Sequence, residues 1–242
     1  MGLSRWAELT REELAEVAPL AVTVLPVASI EQHGPHLPAG TDATLVTAVA
    51  ERACALASSK NEVLLAPTLC YGASDHHLPF GATLSLSAAT FGAVLGELLR
   101  SAARSSCARV LLLNGHGGNA ASCRVVAADA ARAEHIVVAT ASYWDLVDLS
   151  DEKLAFPGHA GQFETSLMLA AAAELVRAEL ARPSPGPPQR NHPGLSVDHP
   201  GLWEESDGFT DDPRAATRPD GERLLQKCVE AVARAIGEVA TR

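Results

Sequence analysis

Four short, almost unbroken runs of Val, Leu and Ile constrain this chain more than any other feature: AVTVLPVAS at 21–29, EVLLAPT at 62–68, RVLLLNG at 109–115 and HIVVATAS at 135–142. Apolar runs of strand length without alternation belong to strands covered on both faces, and burial on both faces is characteristic of parallel sheets. Between and after them lie Ala-rich stretches with apolar residues at helical spacing, at about 42–57, 88–104, 118–133 and 220–240. The alternation predicts an α/β fold, a three-layer sandwich with a mostly parallel central sheet flanked by helices. With 242 residues, 47% of them hydrophobic, the chain is long enough for one such domain over 1–242. From about 183 to 219 the composition turns to Pro, Gly and charge, which predicts a long loop. A connection of that length is expected to be functional, flexible or packed against a neighbouring subunit, and Trp203 and Phe209 in it are expected to be exposed contact residues.

Charge excludes one broad class of function. Lys plus Arg number 19 against 29 Asp plus Glu, a formal charge of −10, so the basic footprint of a nucleic-acid binder is missing. The five cysteines are scattered, without a C-x-x-C pair, and predict reduced, packed thiols. The first residues lack the apolar run of a signal peptide, and no segment approaches the ~18 apolar residues of a membrane span. The expectation is a cytoplasmic protein with no membrane or nucleic-acid partner.

In open parallel sheets ligands collect beyond the carboxyl ends of the strands. The residues there are IEQHGPHLPAGTD after the first run, CYGASDHHLPFGAT after the second and NGHGGN after the third, with His159 after the fourth. His33, His36, His76, His77, His116 and His159 thereby fall on one rim. Glu31 and His33 stand two apart and would point the same way, and the Gly34–Pro35 and Pro38–Gly40 turns would return Asp42 beside them. The plain alternative for Asp42 is to cap the following helix. His116, among three glycines, is a third candidate ligand, with an anion-binding loop as its alternative. In FPGHAGQFETSLML, Glu164 lies in the first turn of a helix starting near Phe163, where an acid can also serve only the helix dipole.

Taken together, Glu31, His33, Asp42, His116 and Glu164 form the mixed oxygen and nitrogen set of a site for two divalent metal ions (zinc, manganese or iron) with a bridging carboxylate. Two such metals ~3.5–4 Å apart activate a bridging water and polarise a carbonyl, which is hydrolysis of an unactivated amide. His159 is left for acid-base work. Cys70 and Cys123 are expected to pack, and the adjacent Ser74, Asp75 and His76 are poorly arranged for a serine triad. Two other classes stand beside this reading: a metal-free binding protein, and a sugar or phosphate enzyme using NGHGGN as a cradle. The second needs a basic mouth, and only Arg190, Arg214 and Arg218 supply one.

The segments IEQHGPHLPAGTD, YGASDHHLPFGATLSL, NGHGGN and HAGQFETS, in this order, resemble the creatininase (creatinine amidohydrolase-like) family, over more than half the chain. The resemblance implies that Glu31, Asp42 and His116 bind one metal and that His33 and Asp42 bind the second, with Asp42 bridging, Glu164 completing the second site, a bridging hydroxide as nucleophile and His159 as general acid-base. Creatininase proper reads H-Y-E where this chain has His116, Gly117 and Gly118, so its carboxylate and its aromatic residue are absent there. The H-G-G-N version is similar to that of the formamide deformylases and of the peptidase of mycofactocin maturation. It implies a small-molecule amide or short-peptide substrate, with a slight preference for the peptide, and a homo-oligomer, commonly a hexamer in the family. The roles of His36, His76 and His77 stay open between orienting a ligand, lining the pocket and contacting another subunit.

Overall fold

The computed structural model describes residues 2–149, 157–186, 201 and 203–242. Its sheet has five strands in the order β1 (Leu3–Arg5), β3 (Val63–Leu65), β2 (Val22–Val27), β4 (Arg109–Asn114), β5 (Val137–Ser142), and every pairing is parallel. The helices are α1 (Arg11–Val17), α2 (Thr41–Ala57), α3 (Ala88–Arg104), α4 (Ala120–Glu134), α5 (Gln162–Ala171) and α6 (Arg218–Ala240). The four apolar runs become β2, β3, β4 and β5. The N-terminal strand β1 was not expected, because Leu-Ser-Arg carries no apolar run.

Side chains alternate between two cores, as period two requires. Val22, Val24, Leu111 and Leu113 face α2, α5 and α6, whereas Leu25, Val27, Val110 and Leu112 face α3 and α4. The result is the three-layer α/β sandwich. Pro26 sits in the central strand without breaking it. Val24 is the last residue of β2 paired with β3, so the donor that proline lacks falls where the neighbour has already ended.

This topology builds the site. The connection leaving β2 packs α2 on one face, and the one leaving β4 packs α4 on the other, which opens a crevice at the carboxyl ends of these adjacent strands. Gly115 closes that end: a Cβ there would lie 2.6 Å from Val46 Cβ, so only glycine lets α2 press against the end of β4.

Of the long loop, residues 187–200 and 202 lie outside the described residues, as does Arg190. The parts that are described correct one expectation. Phe209 is fully buried and Trp203 is half-buried, so neither is a free contact surface. Burying two large aromatic rings against the fold removes more apolar area from water than leaving them on the surface.

Candidate metal centre

The segment after β2 is folded back on itself. Gly34 takes φ +62° at the turn, and Glu31 N–H donates to Ala39 C=O at 3.0 Å, which returns the chain to the start of α2. Asp42 is therefore in the first turn of α2 but does not cap it; the N-cap, Gly40, receives no side-chain bond. Asp42 instead divides its oxygens, with Oδ1 3.1 Å from His33 Nε2 and Oδ2 3.1 Å from His116 Nδ1. Glu31 Oε1 lies 3.2 Å from the same His116 nitrogen, and Glu164 Oε2 lies 3.8 Å from His33 Nε2. Two trios that share Asp42 follow: Glu31, Asp42 and His116, and His33, Asp42 and Glu164. In each, one donor atom per residue lies within 4.8 Å of the others.

Each histidine is turned by what holds its far nitrogen. His33 Nδ1 lies 3.1 Å from Glu31 C=O, and His116 Nε2 lies 3.1 Å from Ala73 C=O. A carbonyl only accepts, so both far nitrogens carry the proton and His33 Nε2 and His116 Nδ1 face the carboxylates. Ser74, hydrogen-bonded to Ser29, also touches His116 Nε2, at 3.1 Å. Asn119 ties the loop down, accepting from Ala73 N–H and donating to Ala28 C=O.

The departure from H-Y-E goes with close packing around Gly118. A Cβ on Gly118 would meet Ala73 C=O at 2.4 Å and His116 Nε2 at 2.5 Å, so this backbone accepts no side chain at 118. A carboxylate close to His33 is offered from α5 instead. Glu164 is reached from the opposite wall, and its Oε2 accepts Ala160 N–H at 2.6 Å. The strand of chain at 209–211 holds that wall. Thr210 Oγ1 accepts His159 N–H at 2.7 Å, Thr210 N–H donates to His159 C=O at 3.0 Å, and Asp211 accepts Gln162 N–H at 2.8 Å.

His159 places Nδ1 3.5 Å from Glu31 Oε1, and His77 places Nε2 3.7 Å from the same oxygen. Their rings stack at 4.3 Å, and Trp203 stands edge-on to both, at 4.8 Å from His77 and 5.6 Å from His159. From the sequence Trp203 was expected only as an exposed contact residue, not at the site, and Gln32, whose amide reaches His77 at 2.9 Å, was not singled out at all. An aromatic in a Pro/Gly-rich loop and a glutamine between two ligand candidates carry no local signal for such contacts. His36 stands behind α5, bonded to Thr165 Oγ1 at 2.8 Å, and His76 stacks on His116. Cys123 is buried in the core, while Cys70 is half-buried and bonded to Thr68 C=O.

The electrostatics call for cations. Glu31 is fully buried, and neither of its carboxylate oxygens, nor Asp42 Oδ2, has a hydrogen-bond partner. Burying a carboxylate without partners is costly enough that a charged ligand is the ordinary remedy. Without a cation, protons take that place. Burial opposes charge on His33, but Asp42, Glu164 and Glu31 outweigh it and raise the imidazole to about 10. His116 is likewise raised well above its ordinary value by Glu31 and Asp42 against burial. Burial lifts Glu164 to about 7. His77 and His159, away from the shared carboxylate, go the other way: burial and the neighbouring imidazoles push His77 to about 2 and His159 well below its usual range. The donor set of two imidazoles and three carboxylates, with orphaned oxygens, suits a pair of divalent cations such as zinc or manganese.

Fold and site together define a metal-dependent amidohydrolase of the α/β class. The family model described as creatinine amidohydrolase matches residues 7–236, and the chain belongs to the creatininase family. It is 34% identical to the mycofactocin precursor peptide peptidase of Mycobacterium tuberculosis, with 93% of this chain and 89% of the relative covered. It is 32% identical to the creatinine amidohydrolase of Pseudomonas putida, over 90% and 89%. A crystal structure of creatininase superposes with TM-score 0.83 at 31% identity, over 97% of this chain and 96% of that one. Other superposing creatininases are a zinc–zinc type and a manganese form.

Proposed function

We propose that this chain hydrolyses a C–N amide bond, with Glu31, Asp42 and His116 holding one divalent cation, His33, Asp42 and Glu164 the other, and His159 as the acid-base group. The observation that carries this reading is the division of Asp42, one oxygen toward each trio, beside the unpartnered oxygens of Glu31. Bound there, two such cations would lower the pKa of water and polarise a substrate carbonyl. The chain's own part is to orient and to move protons. His159 donates Nε2–H to Gln32 C=O at 2.9 Å, which leaves Nδ1 bare and facing the carboxylates. Burial and the neighbouring imidazoles hold His159 neutral at rest, and its bare nitrogen is placed to accept a proton from the attacking water and pass it to the leaving nitrogen. Trp203 covers the histidines and keeps bulk water from them.

Of the substrate classes, a short peptide is favoured over a small cyclic amide or a formamide. Gly117 has nothing within 4 Å of where a Cβ would stand, so the mouth beside His116 is open on the side where creatininase proper carries its tyrosine. The chain is taken to work as a homo-oligomer, in keeping with its family. The test is hydrolysis by untagged protein loaded with zinc or manganese, offered the mycofactocin precursor peptide, creatinine and an N-formyl amine in parallel. Cleavage of the peptide, abolished by a chelator, is expected. Tight metal binding without turnover of any of the three favours a binding protein on this fold.

A further inference from the structure

Among the described residues four groups of side chains lie close enough to hold a metal, and one of them is Glu31 with His76 and His77. His77, like His33, thus stands within reach of a candidate cation. The hydrogen bonds of Gln32 separate them. Gln32 Oε1 accepts Gly34 N–H at 2.9 Å, and Gln32 Nε2 donates to Gly208 C=O at 2.6 Å. Reversing the amide would set oxygen against the Gly208 oxygen and NH2 against the Gly34 N–H, so two backbone groups fix which end is which. Two ring nitrogens are in reach of the second amide hydrogen, His77 Nδ1 at 2.9 Å and His159 Nε2 at 3.3 Å. Because His159 Nε2 spends its own proton on Gln32 C=O and cannot accept, the hydrogen goes to His77 Nδ1. Because that nitrogen accepts, the proton of neutral His77 must be on Nε2, the nitrogen that faces Glu31 and has no hydrogen-bond partner. The close fit of Gly208 belongs to the same device. Its φ is +78°, and a Cβ would lie 2.9 Å from Gln32 Nε2.

The same residue sets His159 the opposite way, since its backbone carbonyl takes the His159 Nε2 proton and bares Nδ1. Side by side over Glu31, then, the two stacked rings offer one N–H and one lone pair. Resting on the amidohydrolase reading above, we propose that His77 is a further catalytic residue, which donates Nε2–H to the carbonyl oxygen of the scissile amide, and that Gln32 is the positioning residue that fixes this tautomer. As the water oxygen bonds to the carbonyl carbon, the π pair moves onto the carbonyl oxygen, where the His77 N–H stabilises it without giving up its proton. The proton of the water goes to His159 Nδ1 and then to the leaving nitrogen as the C–N bond breaks. His77 is thereby not a metal ligand, and the trio of Glu31, His76 and His77 holds no metal.

The lock can be read without any substrate by nitrogen NMR of 15N-histidine-labelled protein, metal-free and zinc-loaded, with His77→Gln to assign the signals. The expected result is a protonated Nε2 and a bare Nδ1 on His77 in both states. A proton on Nδ1, or a zinc-induced shift of Nε2 to that of a ligand, overturns the proposal. Two substitutions then separate donor from packing. Gln at 77 restores an N–H at the Nε2 position and Asn does not. Both variants should keep two zinc ions. With the precursor peptide or creatinine, whichever the wild type cleaves, His77→Asn should lose about 100- to 1,000-fold in kcat and His77→Gln should recover most of it. Loss of a zinc ion in both variants, or equal activity of the two, refutes the role given to His77. Failure of the wild type to cleave any amide would count against the amidohydrolase reading and leave the tautomer result standing.

Discussion

A methyl group added at Gly118 should weaken metal binding although it lies on no ligand. The ideal Cβ stands 2.4 Å from Ala73 C=O, 2.5 Å from His116 Nε2 and 3.1 Å from His76 Cε1, and Cβ contacts below 3.0 Å do not persist. The neighbours must therefore move by at least about 0.6 Å, and two of them are the ring of His116 and the carbonyl that orients it. Overpacking of this kind costs about 1–3 kcal/mol, a fall in Tm of several degrees for a chain of this size. Disturbing the bond that orients a ligating histidine costs about 10- to 100-fold in metal affinity. Gly117→Ala is the matched control, since nothing lies within 4 Å of its Cβ. The assay is zinc competition against a chromophoric chelator, with thermal unfolding of both variants. Gly118→Ala should lose affinity chiefly at one of two sites while Gly117→Ala stays at the wild-type values. Wild-type affinity and Tm in Gly118→Ala would refute the claim that this loop excludes a side chain at 118 in order to seat His116.

Three further outcomes follow from the geometry. Asp42→Ala removes the carboxylate common to both trios and should lose both metals by elemental analysis; full metal content and activity would make the bridging assignment wrong. His159→Ala should keep both metals and lose about 100- to 10,000-fold in turnover, as removal of a general base does; an unchanged kcat would assign the proton transfer elsewhere. Metal uptake should release protons, because His33, raised to about 10, and His116, raised well above its usual value, are both charged near neutrality until a cation displaces their protons. The sign is fixed: apparent affinity rises with pH toward 10. In the metal-free fold, the stability contributed by His33 is present below pH ~6.5 and is lost as pH rises through about 10. Calorimetric titration with zinc in two buffers of different ionisation enthalpy measures the released protons, and heats independent of the buffer would contradict it.

Much of the architecture was legible in the sequence because both-face burial leaves unbroken apolar runs, and the rim loops follow from strand polarity alone. The return of Asp42 beside Glu31 and His33 could be read from the glycines and prolines between them, a local matter of turn chemistry. What escaped has no local trace. The strand β1 is three residues with one apolar side chain, and it exists because β3 offers it an edge. Trp203 looked exposed because its partners, His77 and His159, are distant in sequence. Gln32 is held by the backbone carbonyl of Gly208, 176 residues away in sequence. Glu164 is legible in the sequence only as a carboxylate that could replace the one absent after His116, whereas the lack of room for a side chain at Gly118 belongs to the folded backbone.

The central claim is a pair of cations that share Asp42. Its most direct test is elemental analysis of protein purified without a metal-affinity tag, with Glu164→Gln measured beside the wild type. The account predicts two divalent ions per chain in the wild type and about one in the variant, which loses a ligand of the second trio only. No bound metal, and none taken up on adding zinc, manganese or iron, would contradict it.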